Sequence, residues 1–289
     1  MTLPDRLRAV ANRVLRLGPV ATARRIFDVY GEAGGGLLAG GLTYSALFAL
    51  LPALLLLTGV LGLVVDDPDR RRAIVEGLGE TLPPLRGILD ASLEQITAGA
   101  AGAGTLGLLG LAWGASRFYG SLDDAMGRIF VRAPKRGLVA RTLRGIVSVV
   151  LLVAVFLGSL ILTGIASFLA AETAARFGDS ARGFWQLFTP ALTALLFVVA
   201  AALIYRLVPA LRVPWRAIVL PALVAGIALA ALTQLFSYVA PRLIGAAAVY
   251  GTFVAIFAAM IWLATGFQIL LLGAAWVRVR LRDGDAAPT

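Results

Sequence analysis

Two arginines, Arg117 and Arg206, are the charged side chains that lie closest to the long apolar runs of this sequence. Each stands near the predicted end of one run. A guanidinium group binds phosphate through parallel hydrogen bonds, so the pair predicts a site for a lipid phosphate or another anion. The more ordinary interpretation is that both side chains extend to the membrane interface, or that Arg117 pairs with Asp123 or Asp124. The sequence leaves both interpretations open.

Seven polar side chains interrupt the apolar runs and are candidates for the lining of a polar cavity. The commoner role of such groups is hydrogen bonding between helices, which is worth about 0.6 kcal/mol per contact. The candidates are Thr43, Tyr44, Ser45, Gln234, Tyr238, Tyr250 and Gln268.

Residue types that the chain lacks exclude several kinds of chemistry. There is no cysteine and no histidine, which excludes disulfides, thiolate catalysis and the usual zinc ligands. No Asp, Glu or Lys lies deep in a predicted span, although proton-coupled transporters commonly carry an ionisable group there. The GxxxxGK pattern of a P-loop is also missing. We therefore expect no metal site, no cofactor and no enzymatic activity.

The composition is that of a membrane protein. The chain has 289 residues, of which 60% are hydrophobic, and its mean hydropathy is +0.89. A soluble domain is usually about 45–50% apolar. The formal net charge of +10 is concentrated beside the apolar runs, which favours anionic lipid headgroups and not nucleic acid as the partner.

The apolar runs predict an all-α polytopic protein with six transmembrane helices, because about 20 apolar residues cross a bilayer as a helix. We place the transmembrane domain at 37–277. The spans are predicted at 37–65, 99–119, 145–170, 184–207, 217–240 and 249–277. Helical spacing allows the helix of the second span to continue to Phe130, and one of its faces would then carry Arg117, Ser121, Asp124 and Arg128.

Proline and glycine give these spans local features. Pro52 and Pro221 lack a backbone N–H and predict helix kinks. Gly110 and Gly114 are four residues apart, which permits close packing of two helices in lipid.

Three hydrophilic segments flank the spans. Residues 1–36 alternate arginine with apolar side chains and predict an interfacial amphipathic helix. Residues 66–98 predict a cap of short helices on the outer side, and 278–289 a cytoplasmic tail. Basic residues are concentrated on the side of the two termini, so both termini are expected to be cytoplasmic.

Several segments, in the same order along the chain, resemble the YihY/BrkB family of bacterial inner-membrane proteins. They are Gly41–Pro52, Leu111–Arg117, Tyr205–Pro209 with Trp215–Arg216, and Tyr250–Phe253 with Trp262 and Leu272–Ala274. The chain departs from the family pattern at Ala275, where the family usually has glutamate, and at Ala264, where it usually has tyrosine.

This resemblance implies a six-helix protein of the bacterial inner membrane, from a family linked to virulence and envelope functions and once labelled ribonuclease BN. Nuclease action is disfavoured here because the chain has no histidine and no inward acid cluster for metal ions. The leading hypothesis is a transporter that moves an anionic lipid or amphiphile. The alternative is a non-transporting scaffold or assembly factor, and homo-oligomer formation is left open.

Overall fold

The structure is a computed structural model that describes residues 18–64, 100–130, 178–246 except 210 and 212, and 251–285, together with seven positions between 162 and 176. The described residues form six long helices, so the prediction of an all-α fold is confirmed. They are α1 Gly18–Glu32, α2 Gly35–Val64, α3 Ala100–Ile129, α4 Asp179–Leu207, α5 Trp215–Ala246 and α6 Gly251–Asp285.

Three of the described helices are long and apolar enough to cross a membrane: Gly183–Leu207 in α4, Trp215–Val239 in α5 and Ile256–Asp283 in α6. Gly35–Ala49 in α2 is a shorter apolar stretch. Six spans stay a prediction, because the predicted third span at 145–170 lies almost wholly outside the described residues, and the predicted outer cap at 66–98 lies wholly outside them.

α2 and α3 pack closely against each other, and two glycines make this close approach possible. A Cβ atom at Gly114 would lie 2.7 Å from the Cα of Ala49, and one at Gly110 would lie 2.9 Å from the Cβ of Pro52. The predicted role of these glycines in close helix packing is confirmed. Pro52 lies inside α2, which continues through it, and the predicted kink there stays a prediction.

α4, α5 and α6 form a second packed group. Tyr205 of α4 is fully buried, and its hydroxyl donates a hydrogen bond to the Leu270 carbonyl of α6 at 2.8 Å. A side chain at Gly273 would collide with that hydroxyl. Glycine at this position therefore lets α6 approach the Tyr205 ring.

One end of the molecule holds most of the fully buried side chains. It is marked by Ile129 at the end of α3, Leu207 at the end of α4, Trp215 at the start of α5 and Arg278 near the end of α6. We call it the basic end. Its core contains Met126, Ile129, Tyr205, Val213, Ile218, Leu271 and Val277.

Two helices extend beyond the spans predicted for them. α3 continues ten residues past position 119 because Leu122, Met126 and Ile129 form a buried stripe at helical spacing. α6 continues past 277 to Asp285, with Val279 buried.

α1 packs against this extension of α6. Arg25 of α1 forms a two-pronged ion pair with Asp283, with N–O distances of 2.7 and 3.2 Å. The chain turns from α1 into α2 at Gly34, whose φ of 70° favours glycine.

Candidate functional site

Arg206 lies at the end of α4, as predicted, and its contacts are structural. Its guanidinium donates a hydrogen bond to the Val213 carbonyl in the turn that leads to α5. The same group lies 5.4 Å from the ring centroid of Trp215. Arg206 therefore stabilises the turn between α4 and α5. Its predicted role in binding a headgroup stays a prediction, served by the guanidinium donors that the turn does not use.

Arg117 lies within α3, twelve residues before Ile129, which is about 18 Å along the helix axis. The helix continues beyond the predicted span, as its spacing allowed, because of its buried stripe. The predicted place of Arg117 near the inner end of a membrane span stays a prediction. The side chain is exposed, and its guanidinium lies 5.6 Å from the ring centroid of Trp113, one turn away.

A contact with α6 fixes the level of Arg117 relative to the membrane-spanning helices. The neighbouring Phe118 packs against Phe267 with 5.7 Å between ring centroids. Phe267 is inside the apolar run of α6, eleven residues or about 16 Å before Arg278. Arg117 therefore lies level with the apolar run of α6, and not with the arginines near the end of that helix.

Further charged side chains follow Arg117 on the same face of α3. Ser121, Asp124 and Arg128 are four, seven and eleven residues later, which are helical spacings. Ser121 is half-buried, and the two charged residues are exposed. The Ser121 hydroxyl is 2.8 Å from that of Ser45 on α2. We call the face formed by Arg117, Ser121, Asp124 and Arg128 the charged face of α3.

The other basic side chains of the basic end join helices to one another. Arg278 donates to the Ile129 carbonyl at 2.7 Å, where the helix dipole of α3 favours a cation. Arg280 donates to the Arg216 carbonyl of α5 at 3.0 Å. Residues two apart on a helix point in different directions, so these two arginines reach different neighbours. Sequence reasoning treated both as tail residues and missed these contacts.

The seven candidates for a polar lining do not meet around one cavity in the part of the chain that is described. Thr43 is buried and donates to the Ala39 carbonyl of its own helix at 2.7 Å. Ser45 pairs with Ser121 between helices. Tyr44, Gln234, Tyr238 and Gln268 are exposed, with Tyr238 stacked under Arg242 at 3.5 Å, and Tyr250 lies outside the described residues. Their role as a lining stays a prediction.

The proline candidates are both in helices. Pro221 is buried in the second turn of α5, and Pro52 packs near Gly110. Among the described residues, no group of three or more His, Cys, Asp or Glu side chains is placed to hold a metal ion.

A cavity of about 210 Å³ lies between α4, α5 and α6. Its wall is almost entirely apolar and includes Phe197, Ile204, Leu229, Phe267 and Leu270, with Thr233 and Trp262 as the residues that carry polar atoms. Sequence reasoning did not find this cavity, because its wall consists of ordinary apolar residues from three helices. The available signal was Trp262, a tryptophan within an apolar run.

The chain matches the family described as Virulence factor BrkB over residues 26–288. It is 30% identical over 243 residues to a UPF0761 membrane protein of Rhodospirillum rubrum, an alignment that covers 82% of this chain and 53% of the relative. Similar proteins of Ralstonia nicotianae and Alkalilimnicola ehrlichii, also described as UPF0761 membrane proteins, are 29% and 27% identical with the same coverage.

The chain thus spans about half the length of the curated relatives it matches. No solved structure matches it. Its apolar helices and the length of the family match agree with the resemblance of its motifs. The chain is a membrane protein and belongs to the Virulence factor BrkB (YihY/BrkB) family.

Proposed function

We propose that this protein moves an anionic lipid or a similar amphiphile across the bacterial inner membrane, with both termini in the cytoplasm. The observation that carries the proposal is the exposed guanidinium of Arg117 at the level of Phe267, inside the apolar run of α6. An ionisable group at such a depth is costly and commonly marks the path of a polar substrate.

The charged face of α3 supports this path. A phosphate that leaves the basic end meets Arg128 first and Arg117 about 16 Å further along the helix. The Arg117 guanidinium lies 5.6 Å from the centroid of the Trp113 ring, a cation–π contact. Asp124 between the two arginines keeps the face from being uniformly positive, which opposes permanent retention of the anion.

The arginines at the basic end support the proposal that both termini are cytoplasmic. Arg25, Arg206, Arg278 and Arg280 all make contacts there. Excess arginine beside membrane spans is typical of the cytoplasmic side.

The test is lipid movement in reconstituted vesicles that contain fluorescently labelled phosphatidylglycerol, with extraction of the label from the outer leaflet as the readout. Wild-type protein is expected to accelerate the exchange between leaflets. Arg117→Gln is expected to slow it about 10- to 100-fold, since a hydrogen bond to a charged group contributes about 1.5–3 kcal/mol. Arg117→Lys keeps the charge without the planar fork and is expected to give an intermediate rate.

Arg24→Gln is the matched control, because Arg24 is an exposed arginine of α1 that pairs with Asp28 within its own helix. It is expected to keep the wild-type rate. Folded protein that produces no exchange above that of empty vesicles would overturn the proposal and favour a scaffold or assembly factor.

A further inference from the structure

Tyr44 of α2 lies beside the charged face of α3, and two contacts between these helices determine its level. The Ser45 hydroxyl is 2.8 Å from the Ser121 hydroxyl. A Cβ atom at Gly114 would lie 2.7 Å from the Cα of Ala49. The two helices are antiparallel, because residue numbers in the contacts rise along α3 as they fall along α2. Tyr44 is therefore level with the position that follows Ser121 in α3.

This level is midway between the two arginines of the charged face. Arg117 is about five residues from it and Arg128 about six, which are roughly 8 and 9 Å along the helix axis. No Lys or Arg occurs between the two in α3. A phosphate that moves along the charged face therefore crosses a gap in which α3 offers no cation, and Tyr44 lies beside that gap.

Tyr44 points to the same side of the helix pair as the charged face. Successive residues of a helix are about 100° apart. In two antiparallel right-handed helices, the residues that precede the contact residues consequently point to the same side of the pair. Tyr44 precedes Ser45 in α2, and Trp113, which contacts Arg117, precedes Gly114 in α3. Tyr44 and Trp113 are 60% and 57% exposed, which agrees with a place on the open side.

The Tyr44 side chain is suited to a site that an anion enters and leaves. Its ring packs on that of Phe48, one turn away, with 4.6 Å between ring centroids, so its orientation is restricted. Its hydroxyl is a hydrogen-bond donor that carries no charge. A donor of this kind binds a phosphate oxygen without the added attraction of a third cation beside Arg117 and Arg128.

We propose that Tyr44 forms an intermediate phosphate site, in which its hydroxyl donates a hydrogen bond to a headgroup phosphate oxygen as the lipid passes between Arg128 and Arg117. The ligand is an amphiphile with a phosphodiester group, whose negative charge complements the two arginines. This inference rests on the proposed function for the class of ligand. It adds α2 as a second wall of the path along the charged face of α3.

The role in lipid movement is tested in the vesicle assay with Tyr44→Phe, which removes the hydroxyl and keeps the ring that packs on Phe48. Exchange of phosphatidylglycerol is expected to slow about 10-fold, at the lower end of what a hydrogen bond to a charged group contributes. Tyr238→Phe is the matched control, because Tyr238 is an equally exposed tyrosine on α5, and it is expected to keep the wild-type rate. Exchange that Tyr44→Phe leaves unchanged would overturn the proposal.

The contact itself is tested by solid-state NMR of the protein labelled with 13C at the tyrosine Cζ atoms, in frozen phosphatidylglycerol membranes. Dipolar coupling to 31P reports a phosphate close to the labelled atom, and a phosphate-free buffer makes the lipid its only source. The Tyr44→Phe spectrum identifies the Tyr44 signal. Coupling of that signal to 31P is expected, and it should be at least as strong in Arg117→Gln, where the neighbouring arginine no longer competes for the headgroup. A Tyr44 signal without this coupling in both proteins would overturn the site.

The two tests separate this inference from the proposed function. Wild-type lipid exchange without coupling of Tyr44 to 31P would leave the proposed function standing and reject the Tyr44 site. Coupling of Tyr44 to 31P in a protein that produces no lipid exchange would support a phosphate site at Tyr44 and reject the movement of lipid.

Discussion

The contact between Tyr205 and Gly273 gives the sharpest prediction about the fold. Tyr205→Phe removes the hydroxyl that donates to Leu270, so we expect a loss of about 0.5–1.5 kcal/mol in the free energy of unfolding. Gly273→Ala places a methyl group against the same hydroxyl. Overpacking costs about 1–3 kcal/mol, and the higher helix propensity of alanine returns at most about 1 kcal/mol.

The two changes should not be additive, because they share one atom. In the Tyr205→Phe background the colliding hydroxyl is gone, and the nearest remaining contacts of the methyl group are the ring Cζ at 2.9 Å and Ala225 at 3.3 Å. Gly273→Ala is therefore expected to cost at least about 1 kcal/mol less there than in the wild type, which is within the range of measured couplings.

The assay is reversible unfolding by sodium dodecyl sulfate in mixed micelles, followed by tryptophan fluorescence, for the four members of the cycle. Gly266→Ala is the control, since its methyl group has ordinary contacts, and it is expected to be neutral or stabilising. Equal costs of Gly273→Ala in both backgrounds would refute the packing argument.

Three further predictions concern helix contacts and orientation. Gly114→Leu is expected to abolish folding in a size-exclusion assay because the backbone of α2 lies against that position, whereas Gly120→Leu is expected to fold. Reversal of charge at Arg25 or Asp283 alone is expected to increase the protease sensitivity of α1, and the double reversal is expected to restore protection. Because the pair is exposed, its contribution to the free energy of docking α1 is no more than about 1 kcal/mol. A cysteine introduced by Arg282→Cys into this cysteine-free chain is expected to react with an impermeant maleimide only after permeabilisation of the cells, and labelling of intact cells would contradict cytoplasmic termini.

The sequence was sufficient for the fold class and for parts of the packing. Apolar runs of transmembrane length predicted an all-α protein, and five of the six predicted spans overlap described helices. Gly110 and Gly114 predicted a close helix pair because small residues are the local requirement for such contacts.

The sequence did not decide where the helix of the second span ends. Its spacing allowed the helix to continue to position 130, and the structure shows that it reaches Ile129, because Leu122, Met126 and Ile129 bury one side of it. The place of Arg117 relative to the membrane boundary stays a prediction.

The cavity was beyond sequence reasoning for a different reason. Its wall is contributed by single residues from three helices, and each of these residues is apolar and unremarkable in its own segment. Two of the polar candidates instead make hydrogen bonds within or between helices. Thr43 bonds to a carbonyl of its own helix, and Ser45 bonds to Ser121 of α3.

The central claim is that Arg117 meets a lipid phosphate within the membrane. A cryo-EM structure in nanodiscs of phosphatidylglycerol, with a bound antibody fragment to permit alignment of the particles, tests it most directly. The account predicts headgroup density within hydrogen-bond distance of the Arg117 guanidinium, at the level of Phe267. Arg117 enclosed by protein carboxylates or carbonyl groups, with no lipid density beside the charged face of α3, would contradict it.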